Sequence, residues 1–376
     1  MKLFAALLVA ALSTIPSFCQ TSNSGDESWK NASSQHDPSG TVNSSRTTEA
    51  FSKKGNRTTD RKAFETVGPD GKYAPFQDTE TQTIQVNATT VRTIQRSYGR
   101  DVNGNRSLVQ VTEEERITSA NGGQDLSRTT SNPDLNGRLQ IVQKEIQQIK
   151  QKSPTVQEST TTILMPDVNG ALNPSMRVQQ RETKTGEHST AFRKSTMLPD
   201  GNGNWQTAEV REGTTKDAGQ ASTREEHVLQ PGSDGKLAIV GKTVTREAKG
   251  ATEDRATTET YSNNVPGMAS DNGLHLTEKA TTVRRSDASG NRKVERRVER
   301  PSAGNPSDGF RVTGQVIDIV RPQGSSSKQE KVTTLSLDAN GNMNVVNIDT
   351  TQQDGLKAVQ VDTKQAAKPA PAKPKK

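Results

Sequence analysis

The amino-acid sequence predicts an all-β protein: a repetitive antiparallel β-meander of long hairpins, about 33 residues per repeat, in a single-layer or curled sheet. Three observations lead to this prediction: a low content of hydrophobic and aromatic residues, a recurring Asp/Gly bend, and Thr-rich stretches between the bends. Of the 376 residues, 28% are hydrophobic and 3% are aromatic. Two or three ordinary domains with full cores are therefore excluded.

The N-terminal segment MKLFAALLVAALSTIPSFCQ has the pattern of a secretory signal peptide over residues 1–19. Lys2 precedes an apolar run that is too short to span a bilayer. Ser17 and Cys19 occupy the small-residue positions before a cut after Cys19. Lipidation of Cys19 is the alternative, which the bulky Phe18 disfavours. With the cut after Cys19, disulfide and thiol chemistry are excluded from the mature chain.

The remaining chain divides by composition into three parts. Residues 20–60 are Ser-, Thr- and Asn-rich and predict a disordered leader, residues 61–362 hold the hairpin repeats, and residues 363–376 form a disordered Lys/Pro/Ala tail. The tail carries five of the formal +7 charges, so the body is close to neutral. Few aromatics accompany this charge, which argues against a specific nucleic-acid surface. The tail predicts loose contact with anionic envelope polymers.

The Asp/Gly bends recur at intervals of 33, 33, 33, 33, 32, 38, 36 and 32 residues. Spacing this regular indicates an internal repeat. Looser breakers fall midway between the bends, at Asn121-Gly122-Gly123, Ser153-Pro154, Gly186, Gly219, Gly250, Gly290, Gly324 and Gly355. The bends themselves are centred on Gly71, Gly104, Gly137, Gly170, Gly203, Gly235, Gly273, Gly309 and Gly341.

Each bend suits a type I turn followed by a G1 bulge. Asp at the first position bonds the backbone two residues on, and Gly at the fourth adopts the left-handed conformation, as in Asp101-Val102-Asn103-Gly104. Apolar residues gather beside the bends, as Leu198 and Trp205 do in LPDGNGNW. The pattern predicts hairpin tips with one thin apolar belt next to them.

Between the bends, stretches such as TVRTIQRS and KVERRVER predict polar strands of about twelve residues. An outer-membrane barrel is disfavoured, because TREEHVLQ places Glu225 and His227 on one face and Arg224 and Glu226 on the other, so neither face suits lipid. A β-solenoid stays open as an alternative. A helix is an alternative for residues 139–152 alone, where the repeat register favours a strand.

Three bends read D-x-N-x-N and resemble the opening of calcium loops: Asp101/Asn103/Asn105, Asp200/Asn202/Asn204 and Asp338/Asn340/Asn342. They lack the glycine at the sixth position and the bidentate Glu at the twelfth, so turn chemistry is the favoured interpretation and no metal site is predicted. The four histidines, His36, His188, His227 and His275, are dispersed without metal-binding spacing.

No catalytic, cofactor-binding or metal-binding residue is predicted. The chain lacks the nucleophile elbow, the phosphate-binding loop and the dinucleotide fingerprint. Neighbouring acids such as Glu225 and Glu226 are expected on opposite faces of a strand, which makes them poor acid/base partners. The basic run from Arg284 to Arg300 carries a net +4 and indicates a charge-rich hairpin around Gly290.

The bends PDLNGRL, PDGNGNW and DANGNM resemble the bend of YD-type repeats in large secreted bacterial β-shell proteins. That family places Tyr-Asp before the bend at a shorter interval, whereas Pro or Leu stands there in this chain. The resemblance implies a hairpin turn and carries no function. The Gly-Asn and Gln content is also similar to curli-type amyloid subunits, but the Arg, Glu and Pro residues oppose steric zippers.

These features predict a noncatalytic, exported bacterial protein with a structural or binding-surface role in the cell envelope, located in the periplasm, at the cell surface or outside the cell. The first alternative is a self-assembling matrix or fibre protein, motivated by long strands with unguarded sheet edges. An enzyme without a recognisable motif is the less favoured third hypothesis. No partner is identified beyond the anionic polymers, no cofactor is predicted, and self-association stays open.

Overall fold

The computed structural model describes residues 27–36, 45–68, 71–101, 104–264, 273–302, 309–323, 327–338 and 340–358. Within them the regular structure is entirely β, and the predicted fold class is confirmed. The strands are β1 Glu27–His36, β2 Ser45–Lys54, β3 Arg57–Val67, β4 Tyr73–Gln85, β5 Thr90–Arg100, β6 Arg106–Thr118, β7 Gln124–Pro133, β8 Leu139–Ser153, β9 Val156–Pro166, β10 Leu172–Gly186, β11 Ser189–Pro199, β12 Trp205–Asp217, β13 Ala221–Pro231, β14 Leu237–Lys249, β15 Glu253–Ser262, β16 His275–Ser286, β17 Arg292–Pro301, β18 Phe310–Gln323, β19 Ser327–Leu337 and β20 Met343–Ala358.

The strands form one antiparallel meander in which each strand pairs with the next along the chain. The two terminal strands also pair with each other: β1 lies antiparallel to β20, from His36 opposite Thr350 to Trp29 opposite Ala358, with a register shift between Lys30 and Ala32. Each described strand therefore has a paired neighbour on both sides, and the backbone pairing runs round a ring of twenty strands.

The predicted turn geometry is confirmed at the hairpin tips. In the turn after β5, the Gly104 amide donates to the Asp101 carbonyl (2.9 Å) and the Asp101 amide donates to the Asn105 carbonyl (3.0 Å). Gly104 has a φ of 78°, in the left-handed region that an L side chain rarely adopts. The tips that begin at Gly68, Asp134, Asp167 and Gly232 repeat both hydrogen bonds, as does the tip at Asp338.

Several predicted bends differ from this pattern. The looser breakers at Gly122 and Gly290 form the same tight turn at the opposite rim, starting from Ser119 and Asp287. Gly273 follows the connection between β15 and β16, of which residues 265–272 lie outside the described residues, so the structure does not describe a turn there. Gly355 lies inside β20 and makes no bend. Gly324 lies outside the described residues.

One bulge follows each tip, at the same level in all nine hairpins. In β12, Thr207 pairs with Met197 and Glu209 pairs with Thr196, so Ala208 has no cross-strand partner. The bulges reverse the alternation of side chains along the strand. The other bulged residues are Phe76, Val109, Val142, Ser175, Val240, Thr277, Thr313 and Val346.

Bulged hydroxyl residues are held by a shared hydrogen bond. The side chains of Ser175, Thr277 and Thr313 donate to the carbonyls of Ile163, Thr260 and Val298 on the preceding strand. Each of these carbonyls belongs to the residue opposite the position after the bulge. The bond ties the extra residue to the neighbouring strand.

The sheet is a single layer with almost no core. The buried hydrophobic residues among those described are Val111, Leu126, Val210, Val244 and Ala280. Stability must therefore come chiefly from the hydrogen-bonded ladders and from side-chain pairs across neighbouring strands.

The strands begin earlier in the chain than the composition suggests. β1, β2 and the start of β3 lie within residues 20–60, where the sequence predicted a disordered leader. A single-layer sheet with two wet faces needs few apolar residues, so a Ser/Thr-rich segment can join it through backbone pairing. The predicted signal peptide and the Lys-rich tail lie outside the described residues. Residues 139–152 belong to β8, and the local helix alternative is wrong.

Candidate functional site

The two faces of the sheet are defined here from β12. The first face carries Trp205, Thr207, Val210 and Glu212, and the second face carries Gln206, Arg211 and Thr215. Directly paired residues on antiparallel neighbours point to the same face, so the cross-strand register extends both faces along the sheet.

An apolar belt runs along the first face next to the tips, where the sequence predicted it. The stretch from turn to bulge is about 10 Å high. Several of its side chains are unprotected: Val345 is 54% exposed and Leu139 is 49% exposed. The belt consists of Val67, Tyr73, Pro75, Tyr98, Leu108, Val111, Pro133, Leu139, Ile141, Leu164, Pro166, Leu172, Pro174, Met197, Pro199, Trp205, Val210, Leu229, Pro231, Leu237, Ile239, Tyr261, Leu276, Pro301, Phe310, Val312, Leu335, Leu337, Met343, Val345 and Ile348.

The structure divides the apolar residues that the sequence placed together at the tips. Trp205 pairs with Pro199 on the first face, whereas Leu198 pairs with Gln206 on the second face, so the two do not meet in one anchor. The guanidinium of Arg177 lies 4.3 Å from the centre of the Trp205 ring, and that of Arg106 lies 3.3 Å from the Tyr98 ring. Aromatic rings in the belt thus contact cations at its border.

The aspartates of the tips are held by their own turns. Asp167 Oδ1 accepts hydrogen bonds from the amides of Asn169 (2.8 Å) and Ala171 (2.9 Å), and Oδ2 accepts one from Asn173 Nδ2 (3.0 Å). These bonds, first those from the Asn169 and Ala171 backbone, hold the pKa of Asp167 below its usual value. Hydrogen bonds, first those from the backbone of the turn, also lower the pKa values of Asp134, Asp200 and Asp338, and the pKa of Asp287 is lowered first by the Asn291 side chain and then by the Asn291 backbone.

Hydrogen bonds of the same kind occupy the carboxylates of the calcium-like bends. In the LPDGNGNW tip, the Asn204 side chain and two backbone amides, those of Asn202 and Asn204, all donate to the Asp200 carboxylate. A cation would need the lone pairs that these N–H groups occupy. Within the part of the chain that the structure describes, no three His, Cys, Asp or Glu side chains gather in a group that could hold a metal ion.

Beyond the bulges both faces carry ion pairs. On the first face Arg193 pairs with Glu212 (2.9 Å). On the second face Arg128 pairs with Glu114 (2.6 Å) and with Glu145 (3.1 Å). Neither face therefore offers the apolar band about 25 Å tall that membrane-spanning strands expose.

His227 has charged neighbours in the first face. Its Nε2 lies 3.0 Å from Glu225 Oε1, and Lys242 Nζ lies 2.7 Å from the same oxygen. Hydrogen bonds from Lys242 and then His227 lower the pKa of Glu225. His188 is exposed at the opposite rim, and His275 opens β16. These positions do not bring the histidines into one site.

A cleft of about 500 Å³ opens on the second face at the middle of β10–β13, and the sequence analysis missed it. Phe192 lies directly opposite Gly213, which has no side chain to cover the ring. The visible signal was one aromatic residue in a polar strand, STAFRKST. The Phe192 cleft is lined by Gln180, Glu182, Thr190, Phe192, Lys194, Arg211, Thr215, Arg224 and Glu226.

Comparison with known proteins finds similarity in solved structures alone. No family model and no curated protein matches the chain. The siderophore receptor PirA from Acinetobacter baumannii is 7% identical, with a TM-score of 0.47 over 89% of this chain and 74% of that one. The copper transporter OprC is 7% identical, with a TM-score of 0.46 over 88% and 80%. Pseudomonas aeruginosa OccK7 is 8% identical, with a TM-score of 0.42 over 89% and 99%.

The function predicted from the sequence is corrected at this point. The similar structures include a transporter and receptors, which contradicts a noncatalytic structural or binding-surface role and the description as a periplasmic repeat protein. The matrix-fibre alternative is wrong as well. It rested on unguarded sheet edges, and the β1–β20 pairing leaves none among the described strands. Location in the cell envelope, the coarser part of the predicted localisation, agrees with these neighbours.

No helix in the described ranges is long and apolar enough to cross a membrane.

Proposed function

We propose that this chain is a noncatalytic transport component of the cell envelope, whose ring of strands surrounds a water-filled passage for small polar solutes. The observation that carries the proposal is the pairing of β1 with β20. This pairing closes the meander into a ring, so that one face of the sheet lines an interior.

The dimensions of the ring support a passage. Twenty strands spaced at about 4.8 Å give a circumference near 96 Å and a diameter of about 30 Å before any strand tilt is added. Side chains from one layer cannot fill an interior of this width, and barrels of sixteen or more strands commonly enclose water or a plug.

The chemistry of the wall supports polar solutes. Ion pairs and Thr side chains cover both faces beyond the bulges, so whichever face lines the interior is wetted. Apolar solutes would find few partners there, whereas water and hydroxylated or charged molecules would exchange hydrogen bonds with the wall.

The apolar belt supplies the zone of the wall that suits lipid. Its height is about 15 Å from Trp205 to Val210, which is less than the thickness of the bilayer core, so the bilayer has to thin around the ring where the passage crosses it. We place the contact with the membrane at the belt, with tyrosine and tryptophan rings at its border in the manner of interfacial aromatics.

The test is release of solutes from liposomes. The Gln20–Lys376 protein is added to vesicles loaded with a series of sugars of increasing size, and we expect release of the small members alone. Ala32→Pro should abolish release, because Ala32 lies between β2 and β20 and proline removes its one backbone N–H donor from the ladder that closes the ring.

Ala32→Val is the matched control, since valine is compatible with a strand, and it should keep the release. Flotation of the vesicles shows whether each protein is bound. Bound wild type that releases no sugar, or Ala32→Pro that releases as much as wild type, would overturn the proposal.

A further inference from the structure

We propose that the Phe192 cleft binds a small acidic sugar, with the sugar ring on Phe192 and its carboxylate between Lys194 and Arg211. The proposal goes beyond the passage. The cleft lies within four adjacent strands, β10–β13, so it holds its ligand whether or not the ring of strands conducts solutes.

The size of the cleft suits a monosaccharide or a disaccharide. Its volume of about 500 Å³ lies inside the range of about 300–1,000 Å³ that small-molecule sites occupy. It is a depression in a single layer, walled by side chains of four strands. A ligand can therefore enter from solvent without movement of the backbone.

The two adjacent cations in the cleft favour an anionic ligand. Lys194 and Arg211 are direct cross-strand partners, and like charges in that arrangement repel. Arg211 is balanced by Glu209 (2.6 Å) and Glu226 (3.3 Å), whereas Lys194 makes no ion pair with the residues that the structure describes. A carboxylate between the two cations relieves the repulsion and accepts charge-assisted hydrogen bonds from both.

The aromatic ring supplies a platform for the body of the ligand. Phe192 is half-buried, and the residue directly opposite it on β12, Gly213, has no side chain. The guanidinium of Arg224 lies over the ring, 4.6 Å from its centre, so a sugar ring that packs on Phe192 takes the place of this exposed cation. The apolar C–H side of a sugar ring can pack on such a surface while its hydroxyls face the polar rim.

The polar rim can exchange its internal hydrogen bonds for bonds to hydroxyls. Gln180 Nε2 donates to Glu182 Oε1 at 2.6 Å, and Arg224 contacts Glu226 at 3.0 Å. Each pair contains a donor and an acceptor at exposed or half-buried positions. A sugar hydroxyl can serve both members at once, as a donor to the carboxylate and an acceptor from the amide or guanidinium.

The chain offers a matched control one residue away. Arg193 is also a cation on β11, but it lies on the first face and pairs with Glu212 at 2.9 Å. Lys194→Gln and Arg193→Gln remove the same charge from adjacent positions on opposite faces. Their comparison separates a specific contact from a general loss of positive charge.

The experiment is calorimetric titration of the Gln20–Lys376 protein with galacturonic acid and, separately, with galactose. We expect galacturonic acid to bind more tightly. Lys194→Gln should raise the dissociation constant for galacturonic acid about tenfold, because one charge-assisted contact is lost, and should leave that for galactose unchanged. Arg193→Gln should change neither dissociation constant by more than about twofold.

A second pair of variants tests the platform. Phe192→Thr should weaken the binding of both sugars. Phe64→Thr is the same exchange on the second face of β3, at a side chain that is 37% exposed, and it should weaken the binding of neither sugar. Thermal midpoints confirm that all variants fold. Absence of saturable galacturonic acid binding to the wild type, or equal losses from Lys194→Gln and Arg193→Gln, overturns the proposal.

Discussion

Each strand passes through two zones, one between the turn and the bulge and one beyond the bulge. Different interactions stabilise the two zones. Near the tips, apolar side chains crowd the first face and the turn aspartates are bonded to their own backbones. Beyond the bulges, both faces are wet and carry ion pairs such as those of Arg128 and Arg193.

The difference shows that a strand can change its side-chain environment along its length without a second layer. Exposed ion pairs contribute little each, about 0–1 kcal/mol. The wall beyond the bulges must therefore depend on backbone pairing, and the belt adds apolar burial at one end. Substitutions in the two zones should differ in size accordingly.

The largest effect is expected at Gly213, in the middle of the wall. A Cβ atom at this position would lie 2.0 Å from the Glu225 carbonyl oxygen, which belongs to the backbone of the neighbouring strand. Gly213→Ala should lower the free energy of unfolding by about 3 kcal/mol, measured by urea denaturation.

Gly241→Ala is the control on the next pair of strands, where the nearest backbone atom, Tyr261 O, is 3.4 Å away. Its effect should stay within about 1 kcal/mol. Equal stabilities of the two variants would mean that backbone contact does not limit side-chain size in the wall.

The next effect is expected at the border of the belt. Val210 is 1% exposed, so Val210→Ala should lower the free energy of unfolding by about 2 kcal/mol in the same assay. Val345 belongs to the same belt but is 54% exposed, and Val345→Ala should cost less than about 0.5 kcal/mol. Similar losses at both positions would contradict the single-layer arrangement, because they would require a cover over Val345.

The smallest effect is expected at the tips and depends on pH. Backbone hydrogen bonds lower the folded pKa of Asp167, so its contribution is present above the unfolded pKa of about 4 and is lost as the pH falls through the folded value. The thermal midpoint should be flat from neutral pH to about pH 5 and fall below it.

Asp167→Asn should lower the midpoint slightly at neutral pH and reduce the fall in acid. Glu187→Gln, at a side chain that is 89% exposed, should leave the whole profile unchanged. If the profile of Asp167→Asn coincides with that of the wild type, the turn hydrogen bonds do not stabilise the charged carboxylate.

Local features of the fold could be predicted because their causes are local. Asp and Gly at fixed positions specify the tip, since the carboxylate bonds amides two and four residues on and glycine accepts the positive φ. The belt followed from the apolar residues that flank each tip. These signals lie within about ten residues of sequence.

Alternation along the sequence does not give the faces of a strand where a bulge interrupts it. On β20, strict alternation would place Val345 and Ile348 on opposite faces, but Val346 is the bulged residue, so Met343, Val345 and Ile348 all lie on the first face. A bulge adds one residue without a strong sequence mark, so the period of two cannot be followed through it.

The ring and the Phe192 cleft could not be predicted, because both depend on pairing between distant segments. β1 and β20 are more than 300 residues apart, and backbone pairing between polar strands leaves no recognisable pattern. The cleft requires Phe192 to meet Gly213 in one register. A shift of one residue would place a charged or Thr side chain over the ring.

Each hairpin carries its own turn and its own bulge, and it needs nothing from its neighbours except a strand edge on either side. Such a unit can be duplicated or deleted whole while all remaining pairs keep their partners. Every copy adds two strands, which widen the circumference by about 10 Å. Gene-level changes in copy number would therefore set the calibre of the ring in discrete steps, without altering the chemistry of its rim.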